Sequence, residues 1–226
     1  MNKFFLTLLL VGVAHASGPT MSGYDNYMSP WHYAFTLDNN VERYELRNGD
    51  CAVSSAGYSD CEHNNGRSEL TLIEKARYNQ DITYSWSFYN ESIPTIGLYT
   101  VIGQWKTHEG KDPILYIRQR PSWHAYDVVL DLESLGKAPC RLFSMEESKG
   151  KWIDITINTN FSTSSDGYVN IWIDGIQRCE YKGTMMAKTL SLTEGPSHRR
   201  GIYIQKRGGV KDHPTLIARY KNFEVK

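Results

Sequence analysis

No stretch beyond residue 16 reaches the ~20 consecutive apolar residues that a membrane-spanning helix needs. Long apolar runs at the 3.6-residue helical spacing are missing as well, which argues against a core built from helices. Charge of one sign is also lacking: 25 basic residues face 25 acidic ones. A chain so balanced has no global field for nucleic acid or for an anionic membrane, so neither is an expected partner, and a polyanion must be held by a local cluster. The four cysteines include no close Cys-x-x-Cys pair and no histidines at zinc-finger spacing, which disfavours a structural zinc site. No internal repeat, linker or low-complexity segment divides the sequence, so one domain is the expectation.

What is present starts at the N-terminus. Lys3, an apolar run from Phe4 to Val13, and then Ala14-His15-Ala16 have the order of an export signal with a small-x-small cleavage site. Residues 1–16 are therefore read as a signal peptide and residues 17–226 as a single secreted domain. Removing 16 of 226 residues leaves 210, enough for one sizeable core, and loss of Lys3 leaves 24 bases against 25 acids. In an oxidising compartment Cys51, Cys61, Cys140 and Cys179 should form disulfides, and Cys51 with Cys61 plus Cys140 with Cys179 is the simplest of three pairings. Asn90-Glu91-Ser92 and Asn160-Phe161-Ser162 fit the glycosylation acceptor pattern.

Strand signals recur with turn signals between them. Trp152 to Ile157 alternates, placing Ile153, Ile155 and Ile157 on one face and Trp152, Asp154 and Thr156 on the other. Tyr168 to Ile173, Asp174-Gly175, and Ile176 to Tyr181 read as a hairpin with a tight turn. Further strands are expected at 68–73, 83–89, 100–106, 114–120, 127–132, 201–206 and 215–225, and residues 17–26 are Gly- and Ser-rich and extended. Short strands with no helix alternating between them predict an all-β jelly-roll sandwich of two antiparallel sheets, concanavalin-like, with few short helices.

Three constellations could carry chemistry. In a strand over 67–72, Arg67, Glu69 and Thr71 share one face while Ser68, Leu70 and Leu72 share the other. An Arg and a Glu two apart can orient each other and bond a sugar carboxylate, though such charges can equally well face water. The second is Gln104 with Lys106 and His108 on one strand face, an amide beside a cation suited to an acidic sugar. The third is Tyr203 and Gln205 on one face among His198, Arg199, Arg200, Lys206 and Arg207. Nearby cations favour a phenolate, which would let a group of ordinary pKa ~10 act as a base nearer neutrality.

In this order, Arg67-Ser68-Glu69-Leu70, Gln104 and Gly201-Ile202-Tyr203-Ile204-Gln205 resemble the jelly-roll polysaccharide lyases. The alginate lyases of that type carry Arg-Ser-Glu-Leu-Arg, Gln-Ile-His or Gln-Val-His, and Tyr-Phe-Lys-Ala-Gly-Val-Tyr-Asn-Gln. This sequence departs at Thr71 for the second Arg, at Lys106 for the His, and at Ser197, His198 and Arg199 for Tyr-Phe-Lys. Gly103-Gln104-Trp105, Asn65-Gly66-Arg67-Ser68-Glu69 and the Trp172-Ile173-Asp174-Gly175 hairpin look more like the glucuronan-lyase and heparin-lyase-like branch. The resemblance implies β-elimination on a uronic-acid polymer, with Arg67 and Gln104 neutralising the carboxylate, Tyr203 as base, acid or both, and His63 as a second proton-transfer candidate. Glu69, Lys106, His108, Arg118, Arg120, Arg199, Gln205 and Lys206 would line subsites for the anionic chain. No cofactor is required by that chemistry, a structural calcium at residues such as Asp127 and Asp131 is possible, and the chain is expected to act as a monomer.

Two rivals share the fold. A glycoside hydrolase needs two carboxylates at a set separation, and the Glu-x-Asp-x-x-Glu strand of laminarinase-like enzymes is absent. A lectin-like binding module would use exposed aromatics such as Trp105, Trp123 and Tyr126 without a proton-transfer group.

Overall fold

The computed structural model describes residues 21–53, 57–94, 98–107, 113–120, 124–132, 135–185, 194–205 and 212–226, with the side chains of 120, 124–127 and 131 excepted. The elements are all strands: β1 (Tyr24–Met28), β2 (Phe35–Asp38), β3 (Val41–Leu46), β4 (Asn65–Lys75), β5 (Ile82–Asn90), β6 (Tyr99–Lys106), β7 (Leu115–Arg120), β8 (His124–Leu132), β9 (Lys137–Ser144), β10 (Trp152–Thr159), β11 (Tyr168–Ile173), β12 (Ile176–Lys182), β13 (Ser197–Gln205) and β14 (Leu216–Val225). They form two seven-stranded sheets, in the order β1-β4-β13-β6-β7-β8-β9 and β12-β11-β10-β5-β14-β3-β2, with antiparallel pairing throughout. The expected sandwich is thus observed, and no α-helix occurs among the described residues.

Turn chemistry explains the hairpins. Asp174 and Gly175 both take positive φ (50° and 75°), the twist-matched geometry of a two-residue loop. Asn39 and Asn40 do the same between β2 and β3 (48° and 62°), and this Asn-Asn signal marks a hairpin that the period-2 pattern alone did not reveal. The strand β9 contains Pro139, which cannot donate to a ladder, and it lies accordingly at a sheet edge.

Between the sheets lies one apolar core that includes Trp86, Phe88, Trp105, Ile153, Ile155, Ile157, Ile202 and Ile204. A second, separate cluster of Val101, Tyr116 and Tyr203 sits on the first sheet's outer face. The disulfide Cys140–Cys179 ties the edge strand β9 of the first sheet to the edge strand β12 of the second, and Cys51–Cys61 closes a short loop before β4; both expected pairings are formed.

One irregularity matters for the site. Register shifts on both sides of β6 put Val101 and Gln104, three residues apart, on the outer face. Tyr220 reaches across from β14 to this place, its hydroxyl 2.9 Å from the Ile102 carbonyl oxygen and 2.7 Å from that of Gly201. A phenol of the second sheet thereby serves carbonyls of the first at its irregular point. Gly201 has φ +129°, and a Cβ there would meet the Ser68 carbonyl oxygen at 2.2 Å, so the close approach of β13 to β4 requires glycine.

Candidate active site

The pleat of β4 sends Ser68 and Leu70 inward and Arg67 and Glu69 outward, as the alternation requires. Outward does not mean wet: Arg67 is 6% exposed, Glu69 0% and Gln104 1%. Buried charges must be paired, and these are. The Arg67 guanidinium donates from Nε (2.9 Å) and Nη2 (3.0 Å) to the two oxygens of Asp60, and from Nη1 to Glu69 (3.2 Å). Gln104, from β6, donates through Nε2 to both Glu69 oxygens at 2.7 and 2.8 Å. Burial alone would weaken the Arg67 charge, but Glu69 and Asp60 outweigh it and hold its pKa above the ordinary arginine value.

Tyr203 stands opposite Arg67 in the β13–β4 register, and the guanidinium carbon lies 4.0 Å from its ring centroid. Tyr27 flanks the same guanidinium at 4.3 Å. The expectation that neighbouring cations bring the Tyr203 phenol down towards neutrality is corrected here. Burial is the larger influence and raises its pKa above 10.0, with Arg67 and the Gln205 hydrogen bond opposing it only in part. Tyr203 rests as a neutral phenol, with Gln205 Nε2 3.4 Å from its oxygen.

Other residues read from the sequence take varied places. Arg199, opposite Gln104 in the register, is half-buried; burial lowers its pKa, Glu69 opposes this, and its guanidinium lies 5.7 Å from the Tyr27 ring. Arg118 is buried on β7, stacked 4.5 Å from the Tyr116 ring centroid. Lys106 is half-buried near the end of β6. His63 sits on the exposed turn before β4, stacked on Tyr58 at 4.4 Å, with Nδ1 2.9 Å from the Ser59 carbonyl oxygen. No contact joins it to the Arg67–Glu69–Gln104–Tyr203 group in the described structure. His108, Lys206 and the Arg120 side chain lie outside the described residues.

Asp60 was not anticipated. It is fully buried, its amide donates to Ala52 O (3.0 Å), and its carbonyl accepts from Asn65 N (2.8 Å), inside the loop that Cys51–Cys61 closes. The available signal was an acid next to a disulfide cysteine, seven residues before an Arg that needed a second partner.

Several expectations are narrowed. Asn90 is fully buried, its amide bonded to Ile93 O and Met145 O, and Asn160 is buried with its amide donating to Asp166 O, so neither presents a glycan acceptor on the folded surface. Trp105 lies wholly in the core against His198 and Tyr84, and is no sugar platform. The Trp123, Tyr126, Asp127 and Asp131 side chains lie outside the described residues, and among the described ones no group of three or more His, Cys, Asp or Glu could hold a metal ion. Asp60 and Glu69 both serve Arg67, an arrangement unlike the independently placed acid and base of a hydrolase.

The family model described as polysaccharide lyase matches residues 32–218. Among solved structures, an endo-β-1,4-glucuronan lyase from the fungus Trichoderma reesei is similar with a TM-score of 0.64 at 13% identity, covering 91% of each chain. An alginate lyase from Pseudomonas aeruginosa has a TM-score of 0.59 at 14% identity, covering 92% of this chain and 99% of that one. A family 7 alginate lyase in complex with substrate has a TM-score of 0.60 at 12% identity, covering 87% and 82%. At such identities these likenesses speak for the fold. No curated protein matches the sequence.

Proposed function

The chain belongs to the polysaccharide lyase family, and from that premise we propose that it is an exported, monomeric enzyme that cleaves a uronic-acid polymer by β-elimination. The observation that carries this reading is the Tyr203 phenol stacked on a carboxylate-locked Arg67 beside Gln104. The structural neighbours named as glucuronan and alginate lyases support a uronate substrate. Residues 1–16 and the two disulfides support export.

The chemistry requires removal of the weakly acidic C5 proton and departure of the glycosidic oxygen from C4. Negative charge then spreads onto the uronate carboxylate, and positive groups fixed beforehand lower that barrier. Arg67 and the half-buried Arg199 supply that charge. Gln104 has a narrower part than its donors suggested. Both Glu69 oxygens already take its amide N–H, so its carbonyl oxygen is what it offers to a substrate hydroxyl. Tyr203 takes the C5 proton as phenolate and returns it to O4, forming the C4=C5 double bond and a new chain end. Since burial raises its pKa above 10.0 and Arg67 favours the ionised form, the active phenolate is a minority that grows with pH. Positioned proton transfer of this kind is worth roughly 10²–10⁴ in rate.

The test is to incubate the protein with glucuronan, alginate and heparin and follow ultraviolet absorbance of the unsaturated uronate. Absorbance on one of them is expected. Polymer bound without absorbance would support a lectin, and new reducing ends without absorbance a hydrolase.

A further inference from the structure

The outer face of the second sheet carries a feature that the proposed reaction does not use. Across β14, β5 and β10 the register aligns Arg219, Tyr89 and Trp152 in one rung, and Lys221, Ser87 and Asp154 in the next. Tyr89 and Trp152 stand 5.3 Å apart between ring centroids and at 50° to each other, so the rings open as a V. Lys221 Nζ lies 4.2 Å from the Trp152 ring centroid. Arg219 Nε donates to Glu91 at 2.6 Å beside the rings. Tyr89, Glu91, Trp152 and Arg219 line a cleft of about 340 Å³, within the size range of small-ligand sites.

Neither ring belongs to either apolar cluster, and both remain half-buried on a sheet face. Arg219 is ion-paired with Glu91, and Asp154 accepts from Ser87 Oγ at 2.6 Å, so Lys221 over the Trp152 ring is the rim cation that no carboxylate pairs among the described residues. Flat aromatic surface accepts the C–H face of a pyranose, a cation accepts its carboxylate, and the Glu91 carboxylate accepts its hydroxyls. Isolated aromatics on a surface need no explanation, but two rings splayed around a cleft with an unpaired cation over one of them and an Arg219–Glu91 pair beside them match one chemical class.

We infer that this cleft is a second carbohydrate site, which binds a segment of an acidic polysaccharide without cleaving it. The inference rests on the reading that the substrate is a uronate polymer. The cleft lies on the opposite side of the sandwich from Tyr203, with two sheets spaced ~10 Å apart between them, so one short oligosaccharide cannot occupy both sites. Its effect is retention: a protein held on the polymer by this cleft meets the next cleavable segment at raised effective concentration.

The experiment uses full-length protein carrying Tyr203→Phe, so that turnover does not erode the ligand, and measures retardation in gels containing polyglucuronate, alginate or an uncharged β-glucan. Adding Trp152→Ala, or separately Lys221→Glu, should reduce retardation by the acidic polymers at least fivefold. In the Tyr203-intact background the same two substitutions should leave cleavage of a short soluble uronate oligosaccharide within twofold of the parent. Unchanged retardation in both variants would overturn the site, and equal retardation by the uncharged glucan would overturn its acidic ligand. If Trp152→Ala unfolds the protein, Lys221→Glu decides the matter alone. Failure of the parent to cleave any oligosaccharide would count against the proposed reaction, while the gel measurement would still read the cleft.

Discussion

Two buried arginines on the first sheet are built almost alike and point opposite ways. Arg200 aims into the core, bonds Glu42 through Nε (2.7 Å) and Nη2 (2.5 Å), and lies between the rings of Tyr24 and Phe223 at 4.3 and 4.2 Å. Arg67 aims outward, bonds Asp60 through the same two nitrogens, and lies between Tyr27 and Tyr203 at 4.3 and 4.0 Å. Burial works against both charges and is outweighed in both: by Glu69 and then Asp60 at Arg67, and by Tyr44 and then Glu42 at Arg200. The pair therefore separates what locks a guanidinium from what could make it useful. Arg200 joins β13 of one sheet to β3 of the other, and its partner Glu42 also accepts from the buried Tyr44 hydroxyl at 2.8 Å. Arg67 adds a second carboxylate that orients Gln104, and one of its flanking rings is Tyr203 on the outer face.

The sharpest break in this parallel is expected from Tyr203→Phe, which keeps the ring over Arg67 and removes only the hydroxyl. Lyase kcat/KM should fall roughly 10²–10⁴-fold, whereas Tyr24→Phe beside Arg200 should leave it unchanged. Ultraviolet progress curves over pH 7–10 also test the direction of the pKa shift: a rate that falls as the phenolate grows would sink Tyr203 as the base. Next in size is loss of a single partner. Asp60→Asn and Glu42→Gln should each lower stability by about 3–5 kcal/mol in urea titrations, because each leaves a buried charge short of its carboxylate. Replacing both members of a pair should distinguish the two sites. Arg200→Met with Glu42→Leu should sit within ~2 kcal/mol of the parent and retain lyase activity, while Arg67→Met with Asp60→Leu should be inactive even where folded.

The smallest expected effect comes from the neighbour of Arg200. His198 is enclosed by Tyr84, Trp86, Trp105 and Phe223, and no described group bonds either ring nitrogen. Burial first, and the Arg200 charge second, push its pKa well below 6.5. Below that value the unfolded chain takes up a proton that the folded chain refuses, so its stabilising contribution, complete above pH ~6.5, is lost as pH falls. The slope should approach 1.4 kcal/mol per pH unit at most, about one proton's worth. His198→Phe should flatten it between pH 6.5 and 5.5 in urea midpoints; an unchanged slope would assign the acid sensitivity elsewhere.

Much of the fold was legible because local rules acted alone. Ile153, Ile155 and Ile157 alternate as half-buried strand residues do, and Asp174-Gly175 has few other uses between two such runs. The hairpin of β2 and β3 was harder because Leu37 is exposed and the buried residues of Val41–Leu46 include Glu42 and Glu45, so apolar alternation is blurred by charges whose partners lie elsewhere. Within the site, Arg67 and Glu69 sharing a face followed from the pleat. Their being buried did not follow, since nothing near them in sequence announces Asp60 as a partner.

By itself, the sequence determined where strands alternate, where they turn, which cysteines could pair, and that Arg67 and Glu69 stand on one side of their strand. Each follows from geometry repeated every two residues or fixed by a turn. Tertiary structure decided which side is core and which is site, because a period of two fixes alternation but not its sign. It also brought Gln104 beside Glu69 through the irregularity in β6, and set the Tyr203 phenol by a balance between burial and one guanidinium 136 positions away in the chain, quantities that exist only once the sheets have closed.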